Sequence, residues 1–250
     1  MLKDKVAIVT GGARGLGYSM AQHLGAQGAR VVICDLDAAA VAEAAKRLET
    51  ADIEALPVEC NVASTEDLDR LVQACRERFG RLDILVNNAG GSAHTPLKME
   101  DVTEEHFDRV MNWNVRGTFF CIQRALPLLK VRGGSVINIS SIAGRSGTEL
   151  VSPQYSAAKA GIVGMSRNLA KHLGPDGIRV NVIAPGFIKS GERVEAVWRT
   201  RDETAVLSQV ALRRRGEMPE IGQVAVFLAS DASSYITGAV LDVNGGFMMA

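Results

Sequence analysis

No charge of either sign dominates this sequence: 28 Lys and Arg residues meet 28 Asp and Glu residues, for a formal net charge of zero. A nucleic acid or an acidic membrane surface is held by a basic face, so neither partner is expected. Cysteine is scarce. The four present, Cys34, Cys60, Cys75 and Cys121, form no CxxC and no cluster with the four histidines, so neither a disulfide framework nor a metal site is expected. Cys34 and Cys60 fall in or beside apolar runs and read as small buried hydrophobes. Long apolar runs are missing too: nothing approaches the roughly 18 residues of a membrane span. The opening, Met1 to Gly12, runs at once into a strand-like segment and a glycine turn, leaving no room for a charged leader and an apolar core. The expected location is therefore cytoplasmic. Repeats, low-complexity stretches and linkers are absent, so the 250 residues are expected to form one domain, 1–250. At that length about three quarters of the unfolded surface can be buried, and no staple is needed.

What is present is a rhythm. Short apolar, β-branched runs at Val6–Val9, Arg30–Cys34, Ile84–Val86, Ser135–Ile139 and Arg179–Ile183 read as buried strands. Between them lie amphipathic helical patterns at Tyr18–Gln27, Ala38–Leu48, Thr65–Phe79 and Glu104–Leu129. Gly28 and Gly80 stand where helices stop, and the Asn61-to-Asp67 stretch carries N-cap residues ahead of a helical period. Strands apolar on both faces and alternating with helices imply an α/β fold, a doubly wound parallel sheet of Rossmann type. Residues 190–217 break the rhythm with many charges and no expected strand, and are read as a small substrate-covering insertion, or lid. Gly191 and Gly216 near its ends are its expected hinges.

The first strand leads into Thr10-Gly-Gly-Ala-Arg-Gly-Leu-Gly17, and a helix follows. Glycines at 11, 15 and 17, with Arg14 and Leu16 between them, let the backbone turn, approach a pyrophosphate and pack the helix onto the sheet. The helix N-terminus then presents free N–H groups to the phosphates. The second strand ends at Asp35, with Leu36 after it, 18 residues past Gly17. A carboxylate there accepts hydrogen bonds from the ribose hydroxyls of NAD and repels the extra phosphate of NADP. Like unit charges 4 Å apart cost about 1 kcal/mol in water and about 4 near a protein surface. Arg14 opposes this as a possible phosphate clamp, but Asp35 competes for the same place, so NAD is the expected cofactor.

Tyr155 and Lys159 stand four apart at the start of a helical pattern, one turn apart on one face. A neighbouring cation favours the phenolate, which makes Tyr155 an acid–base candidate. Asn87-Asn-Ala-Gly90, Ser140-Ser141 and Pro185-Gly186 each close a strand, where ligands of open α/β sheets bind. Taken together, TGxxxGxG, NNAG, Asn114 in Asn-Val-Arg-Gly, Ser141 and YxxxK resemble the short-chain dehydrogenase/reductase family over essentially the whole chain, from Lys5 to Gly246.

The resemblance implies a catalytic tetrad of Asn114, Ser141, Tyr155 and Lys159. Tyr155 would exchange the proton on the substrate oxygen and Ser141 would hold that oxygen. Lys159 would bind the nicotinamide ribose and lower the tyrosine pKa, and Asn114 would anchor a relay water. It implies further cofactor contacts at Asn61 and Val62, at Asn88, Ala89 and Gly90, at Tyr155 as well as Lys159, and at Pro185, Gly186, Ile188 and Ser190. Asn61 stands where Asp is more usual, and Ser190 where Thr is. The walls of a substrate pocket are expected at Ser92 and His94, Thr148 to Gln154, Phe187, and residues 191–212; a mixed lining of that kind suits a compact, neutral, partly polar alcohol. A solvated His94 is the competing reading. His23, His106 and His172 read as surface or half-buried, Arg213 to Arg215 as a solvated or interfacial run, and Trp198 as a pocket cap or local packing. Gly161, Gly164 and the apolar C-terminal residues 245–250, with the resemblance, imply a homotetramer.

The expected activity is hydride transfer between NAD(H) and a small secondary alcohol, ketone or sugar. The alternatives are an NADPH-dependent 3-oxoacyl-thioester reductase, which Asp35 opposes, and a non-catalytic dinucleotide-sensing interaction protein, which the intact tetrad opposes.

Overall fold

The computed structural model describes residues 1–147 and 150–249, apart from the side chain of Arg193. The chain runs β1 (Val6–Thr10), α1 (Gly15–Ala26), β2 (Arg30–Asp35), α2 (Ala38–Glu49), β3 (Ala55–Glu59), α3 (Thr65–Phe79) and β4 (Ile84–Asn87). It continues through α4 (Glu104–Met111), α5 (Gly117–Leu129), β5 (Gly134–Ile139), α6 (Pro153–Leu173), β6 (Ile178–Pro185) and β7 (Ile188–Lys189). Then follow α7 (Glu192–Trp198), α8 (Glu203–Leu207), β8 (Gly216–Glu217), α9 (Met218–Ala229) and β9 (Val240–Val243).

Successive strand side chains point to opposite faces. Ala7, Val9, Val31 and Ile33 join one core with α1, α2 and α9, while Val6, Ile8, Val32 and Cys34 join another with α3, α5 and α6. Both faces are therefore covered, and the strands must be apolar throughout. Among the described residues the sheet is parallel, in the order β3-β2-β1-β4-β5-β6-β9. The order reverses between β1 and β4, and the carboxyl ends there frame the crevice in which such sheets bind ligands. The doubly wound α/β fold expected from the rhythm is the fold observed.

Four local expectations need correction. Strands β3 and β9 escape a search for buried runs because their side chains are half-buried or exposed and β3 carries Pro57. The single helix expected over Glu104–Leu129 is interrupted by a π turn, Asn112–Arg116, which separates α4 from α5. Residues 190–217 do contain a strand: β8 pairs in parallel with β7, outside the main sheet. The arginine run is not uniformly solvated, since Arg215 is only 4% exposed. Its guanidinium grips Glu195 of α7 through bonds of 2.8 and 2.7 Å and lies 4.4 Å from the Trp198 ring. Trp198 is buried in that packing. The expected Cys34 and Cys60 burial is observed, and Cys75 and Cys121 are buried as well.

Candidate active site

A cleft of about 600 Å³ opens at the switch point. It gathers Gly11, Arg14, Gly15, Asp35, Leu36, Asn61, Val62, Asn88, Ala89, Gly90 and Ser190 from the expected cofactor residues. Leu16 packs against the core instead, and Pro185 ends β6. Helix α1 has no side-chain cap and no acid in its first turn, so its terminal N–H groups remain available to an anion. The glycine turn is built for close approach: a Cβ at Gly17 would collide with the Gly11 carbonyl oxygen and stand 2.6 Å from Asn88 Nδ2. Asn88 braces this turn, donating from Nδ2 to the carbonyls of Thr10 (3.0 Å) and Gly11 (3.1 Å). Thr10 Oγ1 in turn accepts the Asn88 and Ala89 N–H groups at 3.0 Å. An uncapped helix end over a glycine cradle fits a dinucleotide pyrophosphate.

At the far rim, Asp35 accepts a 3.3 Å hydrogen bond from the Ala13 N–H. Arg14, the possible phosphate clamp, reaches Asp37 instead at 3.3 Å, with both side chains well exposed. This rim thus carries two carboxylates and two arginines, Arg14 with Asp37 beside it and Arg47 donating to the Ala13 carbonyl at 3.2 Å.

The chemical residues meet where β5 ends and α6 begins. Pro153 in the first turn of α6 suits a helix start, and the helix carries Tyr155 and Lys159 on one face. Ser140 and Ser141 divide their work: Ser140 Oγ donates to the Lys159 carbonyl at 2.8 Å, locking β5 to α6. Ser141 Oγ accepts from the Ala143 N–H at 3.1 Å and lies close enough to the Tyr155 phenol to pull its pKa partly back down. Burial is the larger effect and pushes that phenol above its usual value. Lys159 Nζ donates to the Ile139 carbonyl at 2.9 Å and stands 5.6 Å from the Tyr155 ring centroid. Desolvation brings Lys159 down to about 8. The lowering of the phenol therefore comes from the Ser141 hydrogen bond rather than from the lysine, and burial outweighs it.

Asn114 is fully buried on the π turn. Its Nδ2 donates to the carbonyls of Gly91 (2.9 Å) and Val110 (2.8 Å), and its Oδ1 accepts from the Gly91 N–H (3.1 Å). The π turn breaks the ordinary helical pairing, and the Asn114 side chain bonds the loop after β4. Gly90, with φ of +146°, leaves room for this, since a Cβ there would stand 2.5 Å from Asn114 Oδ1.

On the substrate side, Ser92 is half-buried, and its carbonyl accepts from Thr95 Oγ1 at 2.7 Å. His94 is exposed on a loop with φ of +54°. Gln154, 3% exposed, donates to Thr95 Oγ1 (2.8 Å) and the Pro96 carbonyl (3.2 Å), tying that loop to α6. Phe187 meets Trp198 and Phe247 edge-on, with centroids 5.3 and 5.0 Å apart. Thr148 and Glu149 lie outside the described residues.

Lysine burial has a consequence for stability. Between about pH 8 and 10.5 the unfolded chain keeps a proton that the folded chain has released, so stability rises with pH through that window. Lys159→Met, similar in length and without charge, removes the dependence. At 1.36 kcal/mol per pKa unit, the stability of the variant relative to the wild type should fall by about 3 kcal/mol from pH 7 to pH 11. Denaturant unfolding across pH measures this, and a difference independent of pH would refute it.

A family model described as enoyl-(acyl carrier protein) reductase matches residues 11–248. An uncharacterized oxidoreductase of Mycobacterium bovis is 45% identical over 247 residues, covering 98% of this chain and 98% of its own. The chain belongs to the short-chain dehydrogenase/reductase family. As a short-chain dehydrogenase/reductase it is an oxidoreductase with a nicotinamide dinucleotide as cofactor. It is also similar to a 3-oxoacyl-(acyl-carrier-protein) reductase of Staphylococcus aureus, 36% identical over 251 residues and the full length of both chains. Among solved structures, a 7α-hydroxysteroid dehydrogenase complexed with NADH and 7-oxo glycochenodeoxycholic acid superposes with a TM-score of 0.90 at 32% identity, covering 98% of this chain and 94% of its own.

In this short-chain dehydrogenase/reductase the cleft also holds Trp113, unread in the sequence, Cys60, read only as a buried hydrophobe, and Gly191 and Glu192, read as hinge and substrate wall rather than as cofactor contacts. Trp113 had a signal, as the neighbour of Asn114. Cys60 follows β3 directly, so finding that strand would have placed it.

Proposed function

We propose that this protein transfers a hydride between NAD(H) and a small secondary alcohol or sugar and its ketone, with Tyr155 as acid and base. The observation that carries the reading is the convergence of Ser141, Tyr155 and buried Lys159 at the carboxyl end of the sheet. Bound NAD(H) supplies the hydride acceptor or donor. Ser141, with its lone pair on Ala143 N–H, keeps a proton to hold the substrate oxygen. Tyr155 gives its phenolic proton to that oxygen in reduction and takes it back in oxidation. A phenol raised by burial is protonated at neutral pH, the form that reduction needs. Lys159, cationic below about pH 8, presents its charge beneath the phenol and stays fixed through Ile139. Asn114 acts through the loop after β4, holding Gly91 in place.

NAD rather than NADP is favoured by Asp35 and Asp37 at the adenosine end of the cleft. Residues 190–217 form the cover, with α7 held by Arg215. A homotetramer belongs to the same reading, supported by exposed Phe107, Phe119 and Met249. Among the described residues no helix is long and apolar enough to cross a membrane; a cytoplasmic location is proposed with the rest.

The second reading, a 3-oxoacyl-thioester reductase using NADPH, is favoured by the likeness to the Staphylococcus aureus enzyme. A panel of secondary alcohols, sugars and 3-hydroxyacyl esters with NAD and NADP, followed by absorbance of the reduced cofactor, separates the two. Turnover of small alcohols with NAD is expected. A best rate with NADP and acyl thioesters would transfer the assignment to the second reading.

A further inference from the structure

Among the described residues, every ion pair but one has a side chain that is a quarter or more exposed. The exception joins Arg145 to Asp242, whose side chains are 16% and 17% exposed. The guanidinium meets the carboxylate side-on, Nε donating to Oδ1 at 3.2 Å and Nη2 to Oδ2 at 2.9 Å. Exposed pairs contribute little, because water competes for both ions and their side chains lose freedom. A largely buried, bidentate pair is directional, and it fixes the backbone segments that it joins.

Those segments are two parts of the chemical site. Arg145 closes the single turn Ile142–Gly144 that Ser141 caps. Ser141 Oγ accepts from the Ala143 N–H, while the Ser141 and Ile142 carbonyls accept from the Gly144 and Arg145 N–H groups at 3.0 and 2.9 Å. Ser141 and its turn are thus one unit. The turn lies hard against α6, where a Cβ on Gly144 would collide with the Lys159 carbonyl carbon. Steric contact of that kind limits approach but does not aim a hydroxyl. The directional anchor is Asp242 of β9, 97 residues further along the chain. Asp242 stands in register with Ala184 of β6, two residues before Gly186. There β9 and the end of β6 are so close that a Cβ on Gly186 would stand 2.6 Å from Asn244 Cα.

We propose that Arg145 and Asp242 are positioning residues: their ion pair ties the Ser141 turn to the β6–β9 end of the sheet and so aims the Ser141 hydroxyl at the substrate oxygen that Tyr155 protonates. Both act through Ser141 and not on the reacting atoms. This rests on the dehydrogenase reading and extends it to a pair outside both the tetrad and the cofactor cleft.

The test measures turnover of the best substrate of the panel for Arg145→Met, placed in the wild type and in Ser141→Ala. In the wild type kcat should fall by about 10–100-fold, the scale of a misplaced reacting group. In Ser141→Ala the further loss should stay below about twofold, because no hydroxyl is left to aim and the two effects do not add. Arg145→Lys, which keeps the charge and loses the planar fork, should fall between wild type and Arg145→Met. Loss of the arginine alone strands the Asp242 carboxylate, so Arg145→Met/Asp242→Asn repeats the comparison with both charges gone. An equal loss in both backgrounds, or full turnover without the pair, overturns the proposal and leaves the dehydrogenase reading standing. Amide hydrogen exchange needs no substrate: Arg145→Met/Asp242→Asn should speed exchange at residues 143–146 and leave β1 and β4 as protected as before. If no member of the panel reacts with either dinucleotide, the dehydrogenase reading falls, and exchange alone decides whether the pair holds the turn. Unchanged protection at 143–146, or protection lost throughout the molecule, would show that it does not.

Discussion

Tyr155→Phe should lower turnover by 10²–10⁴-fold, the range typical of a lost acid–base group, while NAD binding is kept. The substitution removes the phenolic oxygen and nothing else. The ring still packs beside Lys159 and against the small cluster of Ala93, Val110 and Ala158. The lining of the cofactor cleft consists of other residues, which hold the rest of the dinucleotide when the phenolic oxygen is removed. Steady-state rates with the best substrate of the panel, together with titration of NAD binding, measure both halves. A variant that keeps a third of the wild-type rate would remove Tyr155 from the chemistry. Loss of NAD affinity along with rate would show a structural role instead.

Asp35 should make kcat/KM for NAD exceed that for NADP by about 100-fold, equivalent to about 2.7 kcal/mol. The tertiary structure strengthens the physical case. Arg14, the residue best placed to welcome a phosphate, leans on Asp37, so an entering 2′-phosphate meets two carboxylates and must draw that arginine away from one of them. Asp35→Ser removes the nearer repulsion and should narrow the gap, with Asp37 holding part of it open. Initial rates with both cofactors in wild type and variant decide the matter. A wild type that prefers NADP would mean that Arg14 outweighs both acids.

How much of this could be read beforehand differs from element to element. Buried strands such as β1, β2 and β5 were legible because a sheet covered on both faces demands continuous apolar runs. Strand β3, on the sheet edge, and half-buried β9 carry no such demand. The two-residue strand β8 exists only through its pairing with β7, which no local pattern announces. The π turn at Asn112–Arg116 was equally silent, since its residues continue a helical pattern while their hydrogen bonds do not.

By itself the sequence determined the strand–helix rhythm, the glycine turn at the head of α1, the acid at the end of β2 and the one-turn spacing of Tyr155 and Lys159. Each is a local property, set by periodicity, turn chemistry or residues a few positions apart. Only the tertiary structure decided that Ser140 braces α6 while Ser141 faces the phenol, that burial dominates at Tyr155, and that Arg215 is spent on Glu195 while Arg201 reaches the Leu150 carbonyl. Burial and ion pairing depend on neighbours distant in the chain: Glu195 is 20 residues from Arg215, and Leu150 is 51 from Arg201. A charged residue reads the same in a sequence whatever partner folding gives it.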